Sequence, residues 1–122
     1  MPAGDRQLCR GDVYWVDLEP VRGAESNKTR PAVLVSNDAA NGAAQRRGHG
    51  VVTVVPVTTN TARVYPFQVL LPAAATGLPA DSKAQAEQVR SVAVDRLRQR
   101  AGGVSPDLLA QLDRALRLHL AL

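Results

Sequence analysis

A single cysteine, Cys9, stands among the 122 residues, so the chain can form no intramolecular disulfide and no cysteine-rich zinc site. Histidine is nearly as scarce: His49 and His119 lack the spacing of metal ligands, and neither stands beside a nucleophile signature. The aromatic residues are four, Tyr14, Trp15, Tyr65 and Phe67, which leaves few platforms for stacking; Trp15 is expected in the core. No Gly-rich phosphate loop precedes a helix, which argues against a nucleotide-dependent enzyme. No apolar run reaches the roughly 18 residues of a membrane span. Met1–Arg10 lacks the apolar stretch of a secretory signal, so the expected location is the cytoplasm. The acids scatter without a visible pair, so an enzyme built from this chain must use arginine and hydroxyl groups.

What is present is an ordinary core and an unusual choice of cation. Hydrophobic residues make up 45% and charged residues 21%, which excludes an intrinsically disordered chain. One domain over residues 1–122 is expected, with 1–9 as a loose lead-in; at this length folding hides roughly two-thirds of the chain's surface. Thirteen arginines and two lysines face eleven acids, for a net charge of +4. That balance leans toward polyanionic partners, and the planar arginine fork suits phosphate better than lysine does. A composition biased toward arginine and alanine accounts for the same count equally well.

Gly11–Leu18 reads as a strand with apolar residues on both faces, as inside a small closed barrel. A loop follows over Pro20–Thr29, then a short buried strand over Ala32–Ser36, opened by Pro31. Asn37–Gly50 is a polar connection with room for a short helical turn through its alanines. Val51–Val57 is dense in β-branched residues and is the strongest strand signal, with Val64–Leu71 expected as its antiparallel neighbour. Pro72–Pro79 reads as a loop, Ser82–Val94 as one strand, and Leu97–Arg100 as a short segment before a Gly102-Gly103 turn. The last element is a helix: Ser105 caps it, Pro106 takes its first position, Asp107 complements its dipole, and Leu108, Leu109, Leu112, Leu116 and Leu120 form one stripe. Several short strands and one terminal amphipathic helix predict a mainly β chain, a small barrel or sandwich capped by that helix.

Two positions attract attention on chemical grounds. Arg30 precedes Pro31 at the mouth of a long loop, and the proline holds it out of the α region. Thr58 ends the strand Val51–Val57. If these strands are neighbours, arginine and threonine face one phosphate together; a surface arginine and a turn hydroxyl are the plain alternatives.

Four blocks in order resolve the choice by resemblance. Arg10–Pro20 (RGDVYWVDLEP), Gly23-Ala24-Glu25 with Thr29–Asp38 (TRPAVLVSND), Val54–Asn60 (VVPVTTN) and Glu87–Val92 (EQVRSV), followed by the leucine-rich helix, resemble the MazF/PemK family of toxin endoribonucleases, in detail its mycobacterial branch. The resemblance implies an SH3-like barrel of the CcdB/PemK type, working as a homodimer. It implies a toxin of an antitoxin pair that cuts single-stranded RNA without a metal ion or other cofactor. Partners would be single-stranded RNA and a MazE-like antitoxin. Arg30 and Thr58 match the family's catalytic positions. Glu25, Asn27 and Lys28, on the loop after the first strand, become candidate RNA-binding residues, with Glu25 also a candidate base. The alternative on the same barrel is a CcdB-like toxin that poisons DNA gyrase without catalysis.

Overall fold

The computed structural model describes residues 6–18 and 29–122. Seven strands, β1 (Asp12–Asp17), β2 (Thr29–Leu34), β3 (Val51–Thr58), β4 (Gln68–Leu71), β5 (Ser82–Gln85), β6 (Arg90–Ala93) and β7 (Leu97–Gly103), form an antiparallel sheet in the order β4-β5-β3-β2-β1-β7, with β6 also on β3. Helix α1 (Asp38–Arg47) links β2 to β3, a single turn α2 (Ala73–Thr76) links β4 to β5, and α3 (Pro106–Leu120) closes the chain. This is the mainly β architecture with a terminal helix that the sequence predicts.

Strand alternation sends side chains to two cores. Tyr14, Val16, Ala32, Leu34, Val52 and Val54 pack with Val92, Val94 and Leu97 on one face. Val13, Val33, Val55 and Val57 pack with Val69, Leu71 and Ala84 on the other, beneath Leu112 and Ala115 of α3. Both faces of the middle stretches of β1–β3 are therefore dry, which is why these strands lack the polar alternation of a half-exposed sheet. The Ser105 hydroxyl accepts from Leu108 N at 3.2 Å, so the predicted helix cap is in place.

Five expectations need correction. The lead-in is not loose throughout: Leu8 is fully buried, and the Gln45 side chain of α1 clamps it, accepting from Leu8 N at 2.9 Å and donating to Arg6 O at 2.7 Å. The polar connection holds a ten-residue helix. Its drivers are the Asn37 cap, which accepts from Ala40 N at 2.8 Å, and Gly48 in the left-handed region (φ 72°) just past its end. Strand β4 begins only at Gln68 and pairs with β5, not β3. The strand read over Ser82–Val94 is two, because a 3₁₀ turn at Ala86–Gln88 moves the chain from one core to the other: Ala84 and Ala86 belong to the α3 side, Val92 and Val94 to the opposite side. Both halves still pair with β3, Val57 against Ala84 and Val54 against Arg90. Gly102 and Gly103, expected in a turn, end β7 opposite Val13 and Asp12.

Tyr14 supplies a pH-dependent test of the first core. It is almost fully buried, and burial pushes its hydroxyl above the usual 10.0, with the Asp12 carboxylate adding to the rise while Arg6 and Arg100 oppose it. The fold thus favours the neutral phenol. Its contribution is complete below the unfolded value and is lost as pH rises through the higher folded value. Tyr14→Phe should flatten the alkaline loss of stability, read from denaturant midpoints between about pH 9 and about pH 11. Equal slopes in both proteins would contradict this.

Candidate active site

The site forms where β2 and β3 part. Their ladder runs Leu34 to Val54, Val33 to Val55 and Ala32 to Pro56, and ends there. Pro31 and Pro56 have no N–H to extend it. Arg30 and Thr58 lie two residues past the last pair, one on each strand, so the same register sets them facing each other across the gap. On its other side β2 stays paired with β1, Arg30 against Val16 and Pro31 against Trp15. The strand thus starts at Thr29, earlier than the sequence suggests, and Pro31 is tolerated because one of its edges is open at that point.

A cavity of about 350 Å³ occupies the gap, lined by Arg30, Thr58, Trp15, Thr59, and the wall Leu78-Pro79-Ala80 that follows α2. Arg30 is exposed and Thr58 half-buried. The Thr58 hydroxyl oxygen accepts from Asn60 N at 3.2 Å, which leaves its proton available to a ligand. The wall is fixed by Gly77 in the left-handed region (φ 81°), which lets the chain reverse after α2, and by the buried side chain of Leu78.

Six other arginines are engaged within the fold. Arg90 donates to Leu18 O at 2.9 Å and Arg96 to Asp17 O at 3.2 Å, steadying the end of β1. Arg10 donates to Val35 O and pairs with Asp113 at 2.6 Å, bolting α3 to the sheet. Arg6 and Arg100 meet Asp12, and Arg98 meets Asp17. The ion pairs among the described residues do not include Arg30. A good part of the arginine excess is thus structural rather than a phosphate-binding surface.

The two residues predicted as catalytic, Arg30 and Thr58, are brought to one cavity. Glu25, Asn27 and Lys28 lie outside the described residues. Trp15 is a correction: it is half-buried and forms cavity wall, not core. Sequence reasoning missed it, together with Leu78, Pro79 and Ala80. Trp15 could have been found by its register opposite Pro31; the wall residues carry no local signal.

The same fold recurs in solved structures of bacterial toxins. An endoribonuclease from a mycobacterial species superposes with a TM-score of 0.72 at 26% identity, covering 96% of this chain and 94% of that one. The MazE–MazF crystal structure from Deinococcus radiodurans gives 0.74 at 28% identity, covering 97% and 99%. By class, then, this is a barrel toxin of the CcdB/PemK type. Residues 9–120 match the model of the PemK-like, MazF-like toxins of type II toxin–antitoxin systems, and the chain belongs to that family. Its relatives include endoribonuclease MazF9 of Mycobacterium tuberculosis, 63% identical over 115 residues that span 94% of this chain and 98% of MazF9. Endoribonuclease MazF2 of Mycobacterium bovis is 34% identical over 94% of this chain and 98% of its own length. Between the two readings of the barrel, these relatives favour the ribonuclease over the gyrase poison.

Proposed function

We propose that this endoribonuclease cuts single-stranded RNA at short specific sequences, using the substrate's own 2′-hydroxyl as the nucleophile. The observation that carries the reading is the convergence of Arg30 and Thr58 on one cavity. As the 2′-oxygen attacks the adjacent phosphorus and loses its proton, negative charge gathers on the non-bridging oxygens. Charge then builds on the departing 5′-oxygen, which takes up a proton as it leaves. A guanidinium held at the cavity rim stabilises both charges through paired, charge-assisted hydrogen bonds. The Thr58 hydroxyl donates one more to the same phosphate. Arginine keeps its proton in essentially any protein site, so Arg30 is the charge stabiliser and not the base; Glu25 is the candidate base.

The products of this chemistry are a 2′,3′-cyclic phosphate and a 5′-hydroxyl, and no metal ion is needed. Cleavage of a long single-stranded transcript should therefore persist in excess EDTA, and the new 5′ ends should accept label from a polynucleotide kinase without prior phosphatase treatment. Loss of all cleavage under chelation would overturn the mechanism.

RNA must be single-stranded because in-line attack needs a splayed backbone and base reading needs exposed edges. Arginines and Lys28 would position the strand through phosphates, a salt-sensitive term that is blind to sequence. Lys28→Ala should flatten the slope of log K against log salt by about 0.7 while the cleavage motif stays unchanged. A shifted motif with an unaltered slope would instead assign Lys28 to base reading. Glu25 and Asn27 are proposed to face the bases. The working form is proposed to be a cytoplasmic homodimer silenced by a MazE-like antitoxin. Support for that partner comes from a related mycobacterial endoribonuclease solved in complex with its cognate antitoxin, which this chain matches with a TM-score of 0.71 at 27% identity.

A further inference from the structure

Thr58 opens a loop, residues 59–67, that leaves the cavity and returns into β4, and this loop is tethered along its length. Asn60 N donates to the Thr58 hydroxyl oxygen at 3.2 Å, and Ala62 N to the Asn60 side chain at 3.3 Å. The Lys83 ammonium donates to the Arg63 carbonyl. Tyr65 N donates to Gln68 Oε1 at 3.2 Å, and Gln68 N donates back to Tyr65 O at 2.8 Å. Gln68 is itself buried and donates to Glu87. Lys83 is in register with Thr58, and residues opposite each other in an antiparallel pair present their side chains to the same face. One lysine side chain therefore connects the catalytic strand end to the loop.

That loop carries two of the chain's four aromatic residues. The rings of Tyr65 and Phe67 lie within 3° of parallel with centroids 5.3 Å apart. The Arg63 guanidinium carbon is 4.8 Å from the Tyr65 centroid, and Lys83 Nζ is 5.9 Å from it. Phe67 is half-buried, but Tyr65 is 38% exposed and Arg63 is exposed as well. A stack formed only to fill space would turn its rings inward; here the outer members meet water. Residues 59–67 contain no carboxylate, so nothing within the loop repels a phosphate. The exposed Tyr65 ring with Phe67 parallel to it and the exposed Arg63 guanidinium over it match a nucleobase joined to its phosphate, while the buried Lys83, donating to Arg63 O, holds the loop in place.

We propose that Tyr65, backed by Phe67 and flanked by Arg63 and Lys83, is a stacking subsite for the base of a nucleotide close to the scissile phosphate. The proposal rests on the reading of Arg30 and Thr58 as the site of RNA cleavage. Unpaired bases in RNA stack on aromatic rings and on guanidinium planes alike. Because the loop is already tethered, the base meets a formed surface and little ordering cost opposes its binding.

The test uses an RNA oligonucleotide spanning one mapped cut site, in which each flanking base in turn is replaced by an abasic residue. Wild-type protein should lose at least about fivefold in kcat/KM at one abasic position. Tyr65→Ala should lose a similar factor on the intact oligonucleotide and be indifferent to the abasic change at that position. Tyr65→Phe, which keeps the ring, should retain both the rate and the penalty. If Tyr65→Ala shows the wild-type penalty at every position, the subsite is overturned while RNA cleavage stands. If the wild-type protein cuts no transcript at all, the cleavage reading falls and the subsite falls with it.

Discussion

Arg30→Ala should lose roughly 10²–10³ in cleavage rate, the usual effect of removing one fixed donor to transition-state charge. The variant should keep its fold, because Arg30 is exposed and lies beyond the last β2–β3 pair. Arg30→Lys should recover little, since a point charge cannot reproduce two parallel hydrogen bonds in a fixed plane. Thr58→Ala should show a smaller loss, as it removes a neutral donor beside a charged one. Single-turnover cleavage of a defined oligonucleotide, with circular dichroism on the same samples, separates chemistry from folding. A folded Arg30→Ala protein cutting at the wild-type rate would remove the arginine from the mechanism.

Gly102→Ala should destabilise the protein by about 3 kcal/mol, at the upper end of what overpacking usually costs. Replacing glycine in regular structure ordinarily helps, by about 0.4–1 kcal/mol, through the unfolded chain. Here the sign reverses, because a Cβ at Gly102 would stand 2.3 Å from the backbone carbonyl oxygen of Thr76. That oxygen belongs to α2, which cannot rotate aside as a side chain would. Gly103 is the natural comparison: its Cβ would meet the end of the flexible Arg100 side chain at 2.6 Å, so Gly103→Ala should cost less. Denaturant midpoints for the two variants decide the matter, and equal losses would count against the backbone clash. Since Leu78, Pro79 and Ala80 follow α2 directly into the cavity wall, Gly102→Ala should also weaken RNA binding.

These two residues differ in how far the sequence reveals them. Arg30 is legible because its neighbours are local: Pro31 follows it, a buried strand follows that, and the surrounding blocks carry the family resemblance. The α3 helix is legible for the same reason, with cap, proline and leucine stripe all within sixteen residues, Ser105–Leu120. Val51–Val57 announces itself through β-branched residues alone. Gly102 has no such neighbourhood. Its role depends on a carbonyl from a turn that the chain leaves before β5, and glycine pairs in sequence read as turns by default. Helix α1 is hidden differently: alanines lie on its exposed side as well as its buried one, its buried residues are Asn41, Gly42 and Ala44, and so no apolar stripe marks it. The break at Ala86–Gln88 is hidden because alternation looks continuous on either side of it. Only the presence of two separate cores explains why the chain must change faces there.

The pairing of β1 with β7 joins Asp12 to Gly103, the longest sequence separation among the strand pairs, and this has a consequence for how the protein folds. Arg30 and Thr58 are set by the β2–β3 register, whereas the free edge of β1 waits for β7, a partner far later in the chain. Contacts of such long sequence separation form late, after the chain has met the entropy of closing the loop between them. Closure of the β1–β7 edge is therefore expected to come late in refolding, after the shorter-range β2–β3 pairing that carries Arg30 and Thr58.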